Sequence, residues 1–317
     1  MKEGLSQSTK GHLSALCTML IWGTTFIATK VLLRGFEPVE ILLFRFLLAL
    51  IVLLAAYPRR MQVSERRHEL YFAGAGLSGI CLYYLLENIA LTYTTASNVG
   101  VLLAVAPFFT ALAAHFFLGS EERLTVNFFV GFVIALMGIA MISFNGSRLR
   151  LNPLGDFLAI IAAMIWAVYS LCTRKIAAYG YPTIPATRRM FFYGILFMLP
   201  ALFFFDFHWN LKRFAEPVYL LDILFLGVGA SATCFVSWNF AVKCLGIVKS
   251  SVYIYIGPVI TVIAAALILQ EKITPLMVVG TILTLAGTVV SEGILFRRRQ
   301  PEESECRETA DCEERKP

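Results

Sequence analysis

Residues Ala96–Thr125, ASNVGVLLAVAPFFTALAAHFFLGSEERLT, hold one long apolar run, a single proline at Pro107, and then an abrupt charged corner at Glu121-Glu122-Arg123. Residues Ile247–Thr274, IVKSSVYIYIGPVITVIAAALILQEKIT, repeat that plan. Pro258 answers Pro107, and Glu271-Lys272-Ile273-Thr274 answers Glu122-Arg123-Leu124-Thr125. About 20 apolar residues suffice to carry a helix across a bilayer. Two such runs, each interrupted by proline at the same place, predict a membrane chain built on an internal repeat.

The composition agrees. The 317 residues are 58% hydrophobic and 15% charged, with a mean hydropathy of +0.73. Soluble domains are about 45–50% apolar and about 25% charged. Ten apolar stretches are long enough to span, at about 13–33, 39–57, 70–90, 96–118, 126–145, 156–175, 185–205, 218–240, 250–270 and 276–296. In lipid the backbone is satisfied only in helices or closed barrels. These runs are continuous rather than alternating, so the expectation is an all-α integral membrane protein with ten transmembrane helices.

The repeat extends beyond the two quoted stretches. A shift of 144 carries Trp22 onto Trp166, Thr25 onto Tyr169, Thr29 onto Thr173 and Arg45 onto Arg189. A shift of 151 carries Asn88 onto Asn239, Ala90 onto Ala241 and Pro107 onto Pro258. A shift of 149 carries Glu122 onto Glu271, Gly131 onto Gly280 and Gly138 onto Gly287. Residues 13–145 and 155–293 therefore read as two copies of one five-helix unit. Five is odd, so each copy enters the membrane from the opposite side, which makes an inverted repeat. Carriers with this symmetry place the substrate near the midplane, between the copies.

Charge sets the orientation. With the amino terminus inside, the inner segments carry Lys2, Lys10, Arg59, Arg60, Arg66, Arg67, Arg123, Arg174, Lys175, Lys243, Lys249 and Arg297-Arg298-Arg299. These outnumber Arg34, Arg148, Arg150, Lys212, Arg213 and Lys272 of the outer segments. The positive-inside rule then puts both termini in the cytoplasm. The first apolar run is too long for a cleavable signal and leads straight into a second spanning run. Residues 297–317 are polar and read as a disordered cytoplasmic tail. Short loops and compact length point to a multi-pass protein of a bacterial cell (inner) membrane. The net charge of +6 is explained by this topology and is no nucleic-acid signal. The seven cysteines have no metal or disulfide spacing and read as small apolar fillers.

Trp22-Gly23-Thr24-Thr25-Phe26 with Lys30, Arg45-Phe46-Leu47-Leu48-Ala49, Ala90-Leu91-Thr92-Tyr93-Thr94-Thr95-Ala96-Ser97 and Ala106-Pro107-Phe108-Phe109-Thr110-Ala111-Leu112 resemble the EamA-type members of the drug/metabolite transporter superfamily. Gly257-Pro258-Val259-Ile260 through Gln270-Glu271-Lys272 resembles the same motif in the second copy. The resemblance covers nearly everything but the tail. It implies a ten-helix carrier with a central cavity, often an exporter of amino acids or other small metabolites.

Charge at membrane depth costs about 2.5–3.5 kcal/mol on insertion scales, so each case needs a reason. Glu87, Arg45 and Lys30 all fall in the outer leaflet. Glu87 is expected to pair with Arg45 or Lys30 and is a candidate protonatable coupling group, or the set is a structural ion pair. The second copy has Trp238 where the first has Glu87. Trp22 and Thr25 share one helix face, Trp166 and Tyr169 the matching face, and Tyr84, Glu87 and Asn88 a third. Aromatics mixed with hydroxyls and amides suit a pathway for amphipathic metabolites; helix packing and an interfacial aromatic belt are the other readings. Tyr253 and Tyr255 precede Pro258. Asn88 and Asn239 either bond a substrate or bind a neighbouring helix. Pro107 and Pro258 each remove a backbone donor and are candidate hinges, or shape the helix only.

Gly74-Ala75-Gly76-Leu77-Ser78-Gly79 matches a dinucleotide pattern, but it lies in a spanning run with no strand before it. Close helix packing is the better reading there, and at Gly131, Gly138, Gly280 and Gly287. The chain has no Walker A, G-x-S-x-G or H-E-x-x-H sequence. Nothing asks for a metal, a cofactor or a catalytic residue. The reading is a secondary carrier of small polar or amphipathic metabolites, working by alternating access; a membrane enzyme or sensor is the alternative. Oligomeric state stays open, since two copies already close a pathway within one chain.

Overall fold

The computed structural model describes residues 6–118, 126–143, 152–205, 207–270 and 272–291. All regular structure among them is helical. Seven helices are long and apolar enough to cross a membrane: α1 (Gln7–Leu32), α2 (Pro38–Ala56), α3 (Arg66–Tyr93), α4 (Ala96–Phe117), α6 (Pro153–Ala178), α7 (Thr183–Phe204) and α8 (Pro217–Leu245). Between and after them lie α5 (Val126–Ser143), α9 (residues 247–268) and α10 (Pro275–Ser291), each with a shorter apolar core. The protein is an all-helical multi-pass membrane protein. The charged corners at Glu121-Glu122-Arg123 and Glu271, and the tail at 297–317, lie outside the described residues.

Local chemistry fixes the helix starts. Ser6 accepts from the Thr9 amide at 3.1 Å, and Thr95 from the Asn98 amide at 3.2 Å. These satisfy donors that a helix amino end leaves unpaired. Pro38, Pro153 and Pro217 open α2, α6 and α8, where a missing amide costs nothing. Gly246, at φ +80°, ends α8 and redirects the chain into α9.

The helices pack in pairs that survive exchange of the two copies. α1 packs on α8 and α9, and its counterpart α6 packs on α3 and α4. α2 packs on α8 and α7 on α3; α2 also meets α7, and α4 meets α9. α5 and α10 lie chiefly against each other. Their contact is backbone to backbone. A Cβ on Gly138 would stand 2.5 Å from the Gly280 carbonyl, and one on Gly287 would collide with Ala135. Apolar side chains gain nothing by leaving lipid for one another, so such close fits hold membrane helices together.

Two features break the helical ladder at equivalent places. Residues Gly76–Leu82 in α3 and Phe225–Thr233 in α8 are π-helical. The Gly74–Gly79 pattern is thus part of a packing surface. Gly76 touches Gly194, and Gly79 leaves no room for a Cβ beside the Tyr169 ring. The second break precedes each proline. In α4 the chain steps through Ala104–Val105, whose amides reach only three residues back, to Val101 at 3.1 Å and Leu102 at 3.2 Å. In α9 the turn before Pro258 tightens to a 3-10 helix over Val252–Ile256. A proline ring clashes with the carbonyl four residues earlier, here Leu103 and Ile254, and the helix gives way there.

Candidate functional site

A cavity of about 60 Å³ lies at the seam between the copies. From the first copy come Trp22, Thr25 and Phe26 of α1, Tyr83, Tyr84 and Glu87 of α3, and Gly100 and Ala106 of α4. From the second come Trp166 of α6 and Ile254, Gly257 and Pro258 of α9. Its walls are aromatic. Trp22 and Trp166 meet edge to face at 5.6 Å, Tyr83 lies 5.0 Å from Trp166, and Tyr83 and Tyr84 stand perpendicular at 4.8 Å. Trp22 is held by a hydrogen bond from Nε1 to the Ala230 carbonyl, 2.8 Å away in the π-helical turn of α8.

Glu87 is 1% exposed, and its Oε1 has no hydrogen-bond partner. The Tyr83 hydroxyl lies beside the carboxyl one turn earlier. The expected ion pair with Arg45 or Lys30 is not made. Arg45 gives Nε to Ser231 Oγ at 3.0 Å and lays its guanidinium over Tyr84 at 4.5 Å and Phe46 at 5.0 Å. Lys30 donates to the Leu91 and Thr94 carbonyls at the end of α3, where orphan acceptors and the helix dipole attract a cation.

Other predicted residues stand away from the cavity wall. Asn88 donates to the Pro38 carbonyl at 3.2 Å. Asn239 donates to Thr187 at 3.0 Å and accepts from Tyr169 at 3.1 Å. Both amides therefore join helices. Trp238 packs on Trp22 at 5.4 Å and backs the wall. Tyr255 is buried, Pro107 lies just past the lining residue Ala106, and only Pro258 of the two prolines lines the cavity. Tyr83 and Phe26 complete the wall without having been singled out in the sequence; Tyr83 precedes a chosen residue, and spacing alone did not separate it from lipid-facing neighbours.

Each end of the bundle is closed by an ion pair that joins the copies. At the end where α1 finishes, Arg213 binds the fully buried Glu40 carboxylate through both terminal nitrogens at 2.8 Å, and also the Gly35 carbonyl at 2.7 Å. At the end where α1 begins, Arg189 binds Glu69 and Tyr193 adds a bond to that carboxylate at 2.9 Å. Arg188 grips the Tyr57 and Arg59 carbonyls beside it. His12 meets the Tyr253 hydroxyl at 2.9 Å, joining α1 to α9. Arg45 and Arg189, equivalent in the repeat, thus serve different tasks.

The model of the EamA-like transporter family matches the chain twice, at residues 9–144 and 153–292. The chain belongs to that family. As an EamA-like transporter it is a carrier rather than an enzyme. An uncharacterized transporter of Archaeoglobus fulgidus is 29% identical over 294 residues, covering 90% of this chain and 98% of its own. A probable terminal-alkyne amino-acid exporter of Streptantibioticus cattleyicolor is 30% identical, covering 89% and 94%. A probable amino-acid metabolite efflux pump of Escherichia coli is 24% identical, covering 92% and 98%. One crystal structure, 20% identical, shares the fold at a TM-score of 0.65, covering 91% of this chain and 98% of its own.

Proposed function

We propose that this EamA-like transporter exports small polar or amphipathic metabolites, amino acids or related compounds, by alternating access. The observation that carries the reading is the closed cavity at the seam, with one copy-joining ion pair beyond it at each end. Carriers of this kind rock one repeat against the other around a central site. Opening one end requires breaking only that end's ion pair. The export direction and the amino-acid class follow the names of the Streptantibioticus and Escherichia relatives.

In this reading all ten helices cross the membrane, the copies are inverted, and both termini are cytoplasmic in a cell membrane. The Glu69–Arg189 end then faces the cytoplasm and the Glu40–Arg213 end faces out. Trp22, Thr25, Tyr84, Glu87 and Trp166 contact the solute, and the breaks before Pro107 and Pro258 bend. Glu87 is the protonatable coupling group. The test is flux of labelled amino acids in proteoliposomes, with and without an imposed pH gradient, beside an assay for turnover of the same solutes. Solute movement without chemical change is expected, and loss of pH drive in Glu87→Gln. Labelling that puts the termini on opposite faces, or turnover without flux, defeats the reading.

A further inference from the structure

The charge inside the cavity is of one sign. Among its lining residues Glu87 is the only one that carries a charge, and its Oε1 lacks a partner. An ionised carboxylate shut away from water needs a counter-charge. No guanidinium or ammonium of a described residue lies within 4.0 Å of it. Arg45, the cation that shares its field, is spent on Ser231 and on ring faces, with both terminal nitrogens sealed from solvent. Around Glu87 the wall is made of ring faces and edges from Trp22, Phe26, Tyr83, Tyr84 and Trp166. A carboxylate within aromatic walls is the chemistry that receives an organic ammonium: the acid supplies charge and the rings attract the cation by their quadrupoles. An anion would find no cation lining the cavity.

We infer that the cavity takes its ligands by their ammonium group, seated against Glu87 and among the rings, and that a ligand carboxylate is dispensable. The inference deepens the carrier reading and, for its transport half, rests on it. A cavity of about 60 Å³ is smaller than the roughly 300 Å³ of ordinary ligand sites. In this closed form it admits the ammonium and the first carbons, so selection acts on that end of the molecule.

Four probes separate the groups. L-leucinamide has the amine alone, L-leucine both charges, N-acetyl-L-leucine the carboxylate alone, and N-acetyl-L-leucinamide neither. Binding is read on the full chain in detergent by calorimetry and thermal shift. Leucinamide and leucine should bind at least about tenfold more tightly than either acetylated probe. Glu87→Gln should erase that preference, and Trp166→Leu should weaken leucinamide while the variant still unfolds cooperatively. Equal binding of the acetylated probes, a folded Glu87→Gln that keeps the preference, or no binding of any probe at tens of millimolar overturns the inference. The wild-type comparison stands even if a variant does not fold. Counterflow of labelled leucinamide in proteoliposomes keeps the two readings apart. Preferential binding without flux sinks the carrier reading alone, and flux that ignores acetylation sinks the ammonium inference alone.

Discussion

Arg213 fastens together pieces of chain far apart in sequence: the Gly35 carbonyl, the Glu40 carboxylate and the His208 carbonyl. Glu40 is fully buried, so removing its partner strands a charge. Arg213→Met should lower stability by about 3 kcal/mol, and adding Glu40→Gln should restore much of it, as seen in unfolding midpoints of the purified protein. Unchanged midpoints would mean that the pair contributes nothing. Trp22→Phe removes the donor to Ala230 and should cost about 1 kcal/mol, with faster amide exchange over residues 225–233. Single residues were legible where type and repeat position agreed. Trp22, Thr25, Tyr84, Glu87 and Trp166, singled out on those grounds, all line the cavity. Asn88, Tyr169 and Asn239 lie on the same helix faces but turn to neighbouring helices. A helix face spans an arc of about 100°, and spacing does not say which neighbour fills each part of it. The partner of Arg45 was illegible for a related reason: Ser231 lies in the other copy, and nothing near Arg45 in sequence points to it.

The helices themselves were written plainly, because apolar length and capping residues are local properties. The π-helical turns of α3 and α8 were not, since a widened turn depends on what packs against it, such as the Trp22 indole on Ala230. The proline breaks were half legible: the prolines marked the place, but the 3-10 tightening ahead of them is set by packing. Two element-scale outcomes are expected. Gly138→Leu drives a side chain into the Gly280 carbonyl and Thr284, and should part α5 from α10. The readout is loss of a short cross-link between cysteines placed on the two helices, while a conservative change on the lipid face leaves it intact. Gly246→Ala puts a Cβ at φ +80° and should cost about 1 kcal/mol in the same unfolding assay.

At the scale of the molecule, the exchange-symmetric packing was foreseen by the offsets between copies, while the two end closures were not, since each joins loops to helices across the seam. If both must alternate, fixing one should stop the cycle. Glu69→Cys with Arg189→Cys, bridged by a short cleavable thiol reagent, should cut flux at least tenfold, and reductant should restore it. Wild-type protein treated alike controls for the native cysteines. Full flux while bridged would show that this end does not open.

The lone acid of the cavity has a consequence for the ancestry of the chain. Trp238 occupies the position in the second half that Glu87 holds in the first. Two first halves assembled face to face would bring a pair of like charges into one narrow chamber, and two second halves would bring none. Neither half can any longer serve as its own partner, so the duplicated segments have become a lock and its complement, each useless without the fusion that joins them.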